Sequence, residues 1–284
     1  MSFGETVLLG ALAGFTIYLG LPFGRLQLLS ARTRVALAMF SVGVLAFLFG
    51  EILVHGVELV EHPVEELGEG EGSWGEVIGL SLLLGVGFTA GCAGLAVVER
   101  WMRPGEKQPP IAGGATDAMT AEQAASITSH EVARAHAMRI GMTIAAAIGL
   151  HNFAEGLAIG VSASTGEIGL ATVLIIGFAI HNATEGFGII GPLGEHRPTW
   201  RWLAVAGLVG GAPVFLGAML GYEVSSEPLE LTFYAISAGA ILYVIGEIWT
   251  AVRRMGHREL GLAMVSAGVF LAAMTEMVIA YGGG

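Results

Sequence analysis

Apolar residues fall into eight stretches along this chain, each near the ~20 residues that a bilayer-crossing helix needs. They cover 5–23, 35–57, 75–98, 138–163, 168–191, 202–222, 229–252 and 260–281. Polar residues concentrate in the intervals between them. The pattern predicts an all-α membrane protein with eight transmembrane helices in a single membrane domain over 1–284.

The basic residues test this division. All 13 Lys and Arg lie in, or just at the ends of, the intervals 1–2, 3–4, 5–6 and 7–8. None falls in the N-terminus, the 2–3, 4–5 or 6–7 intervals, or the C-terminus. Basic loops stay in the cytoplasm, so the alternation places both termini outside. A wrong span count would scramble it. The first basic residue, Arg25, follows the first apolar stretch, which is not how a cleaved signal peptide is built.

Composition agrees. Charged residues make up 13% of the chain, against about 25% in soluble domains. The 44 glycines fit closely packed membrane helices. A lone cysteine, Cys92, excludes an internal disulfide framework and a Cys-based zinc site. The net charge of −11 argues against nucleic acid as a partner. The partners in view are the lipid bilayer and cations.

Two intervals are long. The outer 2–3 loop carries Glu58, Glu61, Glu65, Glu66, Glu69, Glu71 and Glu76 with His62. It reads as a solvated acidic loop or as a cation-attracting vestibule. The inner segment, about 103–133, contains Pro104, Pro109, Pro110, Gly113 and Gly114. It reads as a flexible linker with a short helix near its end.

The chemistry lies in spans 4 and 5. His-Asn-x-x-Glu-Gly occurs twice, as His151-Asn152-Phe153-Ala154-Glu155-Gly156 and His181-Asn182-Ala183-Thr184-Glu185-Gly186. Ionisable side chains within membrane spans cost several kcal/mol and are retained where they function. A spacing of four puts each His and Glu on one helix face, about 6 Å apart along the axis. The turn at Ser164-Thr165-Gly166-Glu167 makes the two spans an antiparallel hairpin. Position 168 is the midpoint of both His151–Glu185 and Glu155–His181. A symmetric hairpin therefore levels His151 with Glu185 and Glu155 with His181, a square of two imidazoles and two carboxylates. Such mixed N and O donors suit Zn²⁺ and are compatible with Fe²⁺, Mn²⁺ or Cd²⁺. Asn152 and Asn182 are placed either to serve an adjacent second cation or to hydrogen-bond the carboxylates. Gly156 and Gly186 read as points of close helix approach. Glu51 and His55 toward the outer end of span 2, and Glu247 toward the inner end of span 7, are candidates for a path to and from the site. Glu276 in span 8 is a weaker one.

These residues resemble the ZIP (Zrt/Irt-like protein) family of divalent-metal transporters. The resemblance rests on HNFAEGLAIG at 151–160 and HNATEGFGII at 181–190, which match the family's fourth- and fifth-helix signatures. SAGAILYVIGE at 237–247 looks like its seventh helix. It implies a ZIP-like bundle forming one transporter domain over 1–284. It implies a primary metal site at His151, Glu155, His181 and Glu185. It also implies a second site at Asn152 and Asn182, with both glutamates bridging. The family's proline before each motif glutamate is replaced here by Ala154 and Thr184. Its sixth-helix glutamate is missing from Gly210-Gly211-Ala212-Pro213, so the second site is expected to be incomplete. In span 2, His55 after Val54 stands where an acidic residue after proline is common.

The function expected is transport of divalent transition-metal cations, zinc foremost, with uptake into the cytoplasm implied by the resemblance. The metal is substrate, and no prosthetic cofactor is expected. The competing readings are an intramembrane metal-dependent hydrolase or oxidase, which shares the ligand types, and a metal sensor without flux. No Ser, Asp or Tyr beside the motifs offers itself for catalysis, and no soluble domain for signalling is evident. Small-residue surfaces such as Gly10-x-x-x-Gly14 are compatible with a homodimer. A cell membrane, plasma or inner, is the expected location.

Overall fold

A computed structural model of the chain describes residues 1–26, 29–101, 121–166, 168–224 and 226–283. These are helical nearly throughout, and no strand occurs among them. The helices are α1 (Phe3–Phe15), α2 (Ile17–Gly20), α3 (Ala31–Glu69), α4 (Trp74–Trp101), α5 (Ala121–Ser164), α6 (Ile168–Ile190), α7 (Trp200–Glu223), α8 (Glu227–Arg253) and α9 (Arg258–Gly283). A 3₁₀ turn, Leu21–Arg25, extends α1 and α2 into one crossing segment. Among the described residues, eight segments are long and apolar enough to cross a membrane, matching the eight stretches expected.

Two intervals differ from expectation. The acidic segment after span 2 is not a loop. Helix α3 continues through it to Glu69, because Glu, Leu and Val are adequate helix formers and nothing stops the helix before glycine. Pro63 is accommodated inside it, and Gly70 ends it at φ 88° with its N–H on the Glu66 and Leu67 carbonyls. The second difference concerns the inner linker. Its 103–120 part lies outside the described residues, whereas 121–133 already belong to α5.

The helices sort into two groups by packing. Helices α1, α5, α6 and α7 pack together, with α5 against α7 as the largest interface. Helices α3, α4, α8 and α9 form the other group, built on the α4–α8, α3–α9 and α3–α8 interfaces. Backbone-to-backbone contact at glycine makes this possible. A Cβ on Gly156 would stand 2.2 Å from the Val214 carbonyl, and one on Gly217 2.1 Å from that of Phe153. Gly91 and Gly239 do the same between α4 and α8. In the membrane no hydrophobic drive pulls helices together, so such close van der Waals packing carries the association. Gly10 and Gly14 are used this way within the chain. Gly14 would meet the Gly211 carbonyl at 2.2 Å. That face is therefore taken by α7 and is not a surface for a second copy.

Candidate metal centre

The α5–α6 hairpin forms as its sequence predicts. Helix α5 ends at Ser164, Gly166 turns the chain at φ 90°, and α6 starts at Ile168. Neither helix breaks at its motif. Thr184, where the resemblance would place a proline, keeps its backbone N–H for the helix, and its hydroxyl donates to the His181 carbonyl at 2.8 Å.

All six motif side chains are buried. Relative exposures are 0% for His151, 0% for Asn152, 5% for Glu155, 2% for His181, 0% for Asn182 and 1% for Glu185. His151 stands between the two glutamates. Its Nε2 is 3.1 Å from Glu155 Oε1 and 3.6 Å from Glu185 Oε1. The levelling of His151 with Glu185 thus holds. Glu155 is met from α6 by Asn182, whose Nδ2 donates to Glu155 Oε2 at 3.4 Å. His181, four residues before Glu185, stands one turn away on the same face of α6. Among the described residues, no group of three or more His, Cys, Asp or Glu is drawn into a ready-made metal cage. The cluster is open, with one imidazole bridging two carboxylates and a second imidazole beside it.

The asparagines do something specific. Asn152 Nδ2 donates to Asn182 Oδ1 and, at 2.9 Å, to the Gly210 carbonyl of α7. Asn182 Nδ2 also donates to the Phe178 carbonyl at 2.8 Å. The Asn152 amide is spent on Asn182 and the Gly210 carbonyl, and the Asn182 amide on Glu155 and the Phe178 carbonyl. Of the two, only Asn182 donates to a carboxylate, that of Glu155. The segment Gly210-Gly211-Ala212-Pro213 brings a main-chain carbonyl to Asn152, with no acidic side chain.

What remains is a set of buried atoms with no hydrogen-bond partner. They are both ring nitrogens of His151 and of His181, Glu155 Oε1, both carboxylate oxygens of Glu185, and Asn152 Oδ1. The short His151–Glu155 distance lacks the direction of a hydrogen bond, so it does not satisfy either atom. Each orphaned buried polar group costs about 1–3 kcal/mol. Imidazole and carboxylate donors left open together are what a divalent cation would take as ligands.

A cavity of about 80 Å³ reaches this cluster and is lined by Glu51, His55, His151, Glu155 and Tyr234. A second cavity, of about 250 Å³, is lined by Glu58, His62, Glu227 and Glu230 and shares His55 and Tyr234 with the first. His55 Nδ1 is hydrogen-bonded to the Glu51 carbonyl at 3.0 Å, and its ring centroid is 6.1 Å from that of Tyr234. The Tyr234 hydroxyl donates to Glu230 Oε1 at 3.0 Å. Glu51 and His55 are therefore brought to the cluster, from the end of the bundle that carries no basic residue. Glu247 is not among the side chains lining these cavities. It lies 13 residues beyond Tyr234 on α8, about 20 Å along the helix.

Sequence reading missed Tyr234 and Glu99. Tyr234 is an aromatic in an apolar span and gave no signal. Glu99 is 6% exposed and accepts a hydrogen bond from the Tyr243 hydroxyl at 3.4 Å. It lies just past the expected end of span 3 beside Arg100, which made it look like an ordinary helix end.

The chain matches known proteins over the same region and beyond it. The sequence model described as the ZIP zinc transporter matches residues 103–245, which include both motifs. The zinc transporter ZupT of Corynebacterium glutamicum is 27% identical over 277 residues, covering 93% of this chain and 97% of its own length. The zinc transporter ZupT of Corynebacterium efficiens is 27% identical over 271 residues, covering 93% of this chain and 95% of its own. The chain belongs to the ZIP zinc transporter family: it is an integral membrane transporter of divalent metal ions and not an enzyme.

Proposed function

We propose that this protein carries Zn²⁺ as its principal substrate across the cell membrane into the cytoplasm, through a site made by His151, Glu155, His181 and Glu185. One observation carries the reading. Four ionisable side chains on two packed membrane helices are buried together, and most of their polar atoms have no protein partner. Iron, manganese and cadmium ions fit the same donors. A cation would arrive from the acidic face through the cavities at Glu58, His62 and Glu230, pass His55 and Tyr234, and meet Glu51 before the cluster. Glu247 is proposed for the release side, toward the basic face of the bundle. Asn182 holds Glu155 and is itself held by Asn152, so the two asparagines hold a second cation only weakly. Placement of the basic loops supports both termini lying outside.

The packing supports a division of labour. All four proposed ligands stand on α5 and α6, in one helix group, while Glu51, His55 and Tyr234 belong to the other. Movement of one group past the other would expose the ligands to each side in turn. The test is uptake of Zn²⁺ by proteoliposomes, followed by an internal dye, with Mn²⁺, Fe²⁺ and Cd²⁺ as competitors. Saturable Zn²⁺ uptake above protein-free vesicles is expected. Uptake that Zn²⁺ cannot compete for would remove zinc as the principal substrate.

A further inference from the structure

At the opposite end of the bundle from the acidic face, a cavity of about 550 Å³ opens between α3, α8 and α9. It is unconnected with the metal cluster, sharing no lining residue with the cavity there. Its walls and its rim differ in chemistry. Met39, Trp249 and Leu262 supply an apolar wall from within the spans, while Arg253 and Arg258 supply a cationic rim at the span ends, with the His257 imidazole between them. Among the described residues, no side chain hydrogen bond or ion pair engages Arg253 or Arg258. Glu259, the acid of the first turn of α9, is not among the lining residues.

The backbone here is built as carefully as the side chains. His257 precedes α9 at φ 59°, and it is the one non-glycine residue among those described with positive φ. Left-handed backbone at a non-glycine position costs energy and persists where the surroundings fix it. The first N–H groups of α9, a 26-residue helix, bring the positive end of its dipole to the same rim. Arg258 and Glu259 both sit at that end, and of the two only Arg258 lines the cavity. Trp249 is 37% exposed, and tryptophan favours the level of lipid headgroups.

We infer that this cavity is a binding site for an anionic phospholipid, with its phosphodiester at Arg253, His257 and Arg258 and an acyl chain along Met39, Trp249 and Leu262. Charge complementarity chooses the headgroup: two unpaired guanidinium groups and a helix N-terminus recognise phosphate. The apolar wall chooses a lipid over a free phosphate, which would leave Met39, Trp249 and Leu262 uncovered. Basic pockets between spans are where anionic headgroups dock on membrane proteins. The inference stands apart from the metal site and does not depend on the transported ion.

The test uses the full purified chain and native mass spectrometry, titrating dioleoyl phosphatidylglycerol against dioleoyl phosphatidylcholine. R253Q/R258Q is compared with R100Q/R201Q, which removes the same charge elsewhere. All four arginines are exposed, so both variants should fold. The unmodified chain should retain phosphatidylglycerol over phosphatidylcholine. R253Q/R258Q should weaken phosphatidylglycerol retention roughly 30-fold, as expected for two basic groups at a lipid surface, and R100Q/R201Q should not. Inorganic phosphate should not displace the lipid. Equal retention by the unmodified chain and R253Q/R258Q overturns the site. Equal loss in both variants would reduce it to general surface charge. Displacement by inorganic phosphate would show a free-anion site instead.

Discussion

His151 of α5 and Glu185 of α6, 34 residues apart in sequence, meet with Nε2 3.6 Å from Oε1 in a region closed to solvent. The pair joins the two motifs, and neither atom has a hydrogen-bond partner. A cation bound between them would satisfy both. Bound Zn²⁺ should therefore stabilise the fold, by about 2.7 kcal/mol at a hundredfold excess over Kd. A thermal melt in detergent with and without Zn²⁺ measures this. His151→Ala should abolish the metal-dependent rise in Tm. A full rise in that variant would place the bound metal elsewhere.

The asparagines bear on stoichiometry. The Asn152 amide is committed to Asn182 and the Gly210 carbonyl, and the Asn182 amide to Glu155 and the Phe178 carbonyl. Two divalent cations side by side would then share two carboxylates in a low-dielectric site, which compensates their charge poorly. One tightly held metal per chain is expected by mass spectrometry of metal-loaded protein. Ala212→Glu should raise occupancy of a second position. Two equally tight metals in the unmodified chain would mean that another carboxylate reaches the site.

Packing by glycine makes a sharper mechanical prediction. A methyl on Gly156 collides with the Val214 carbonyl at 2.2 Å, whereas one on Gly79 meets nothing within 4 Å. Gly156→Ala must push α5 and α7 apart, at about 1–3 kcal/mol or more. Gly79→Ala should leave stability within ~1 kcal/mol of the unmodified chain. Thermal melts of the two variants should separate clearly. Equal melting points would show that the α5–α7 contact is looser than the structure has it.

Orientation is open to chemical labelling. In a Cys92→Ala background, Gly68→Cys and Thr165→Cys should react with an impermeant maleimide added outside cells. Arg254→Cys should react only after the membrane is opened. Labelling of Arg254→Cys from outside would reverse the topology read from the basic loops.

The sequence made the spans legible because hydropathy and basic residues are both additive along the chain. It made the hairpin legible because a four-residue turn leaves little freedom between α5 and α6. The azimuth of each helix was not legible. His181 was expected level with Glu155; the hydrogen bond that Glu155 receives from α6 comes from the next residue, Asn182. Register fixes height along a hairpin, while the rotation of each helix is set by its other neighbours, α7 and α8 for α5, and α1, α3 and α9 for α6. The helical run from Glu58 to Glu69 was hidden for a different reason. Its acidic composition signals solvent exposure, which a helix extending beyond the membrane satisfies as well as a loop does. Tyr234 was invisible because a single aromatic in an apolar span has no pattern to stand out from.

The most direct test of the central claim is Zn²⁺ flux in proteoliposomes containing Glu155→Ala or Glu185→Ala, at equal reconstituted protein. Each substitution removes a buried carboxylate that has an unpartnered oxygen beside His151. Each should cut flux by more than ~100-fold, since even groups that only orient metal ligands are worth ~10–100-fold. The variants should still insert and purify as the unmodified chain does. Near-normal flux in both would contradict the account and place the transport site away from the two motifs.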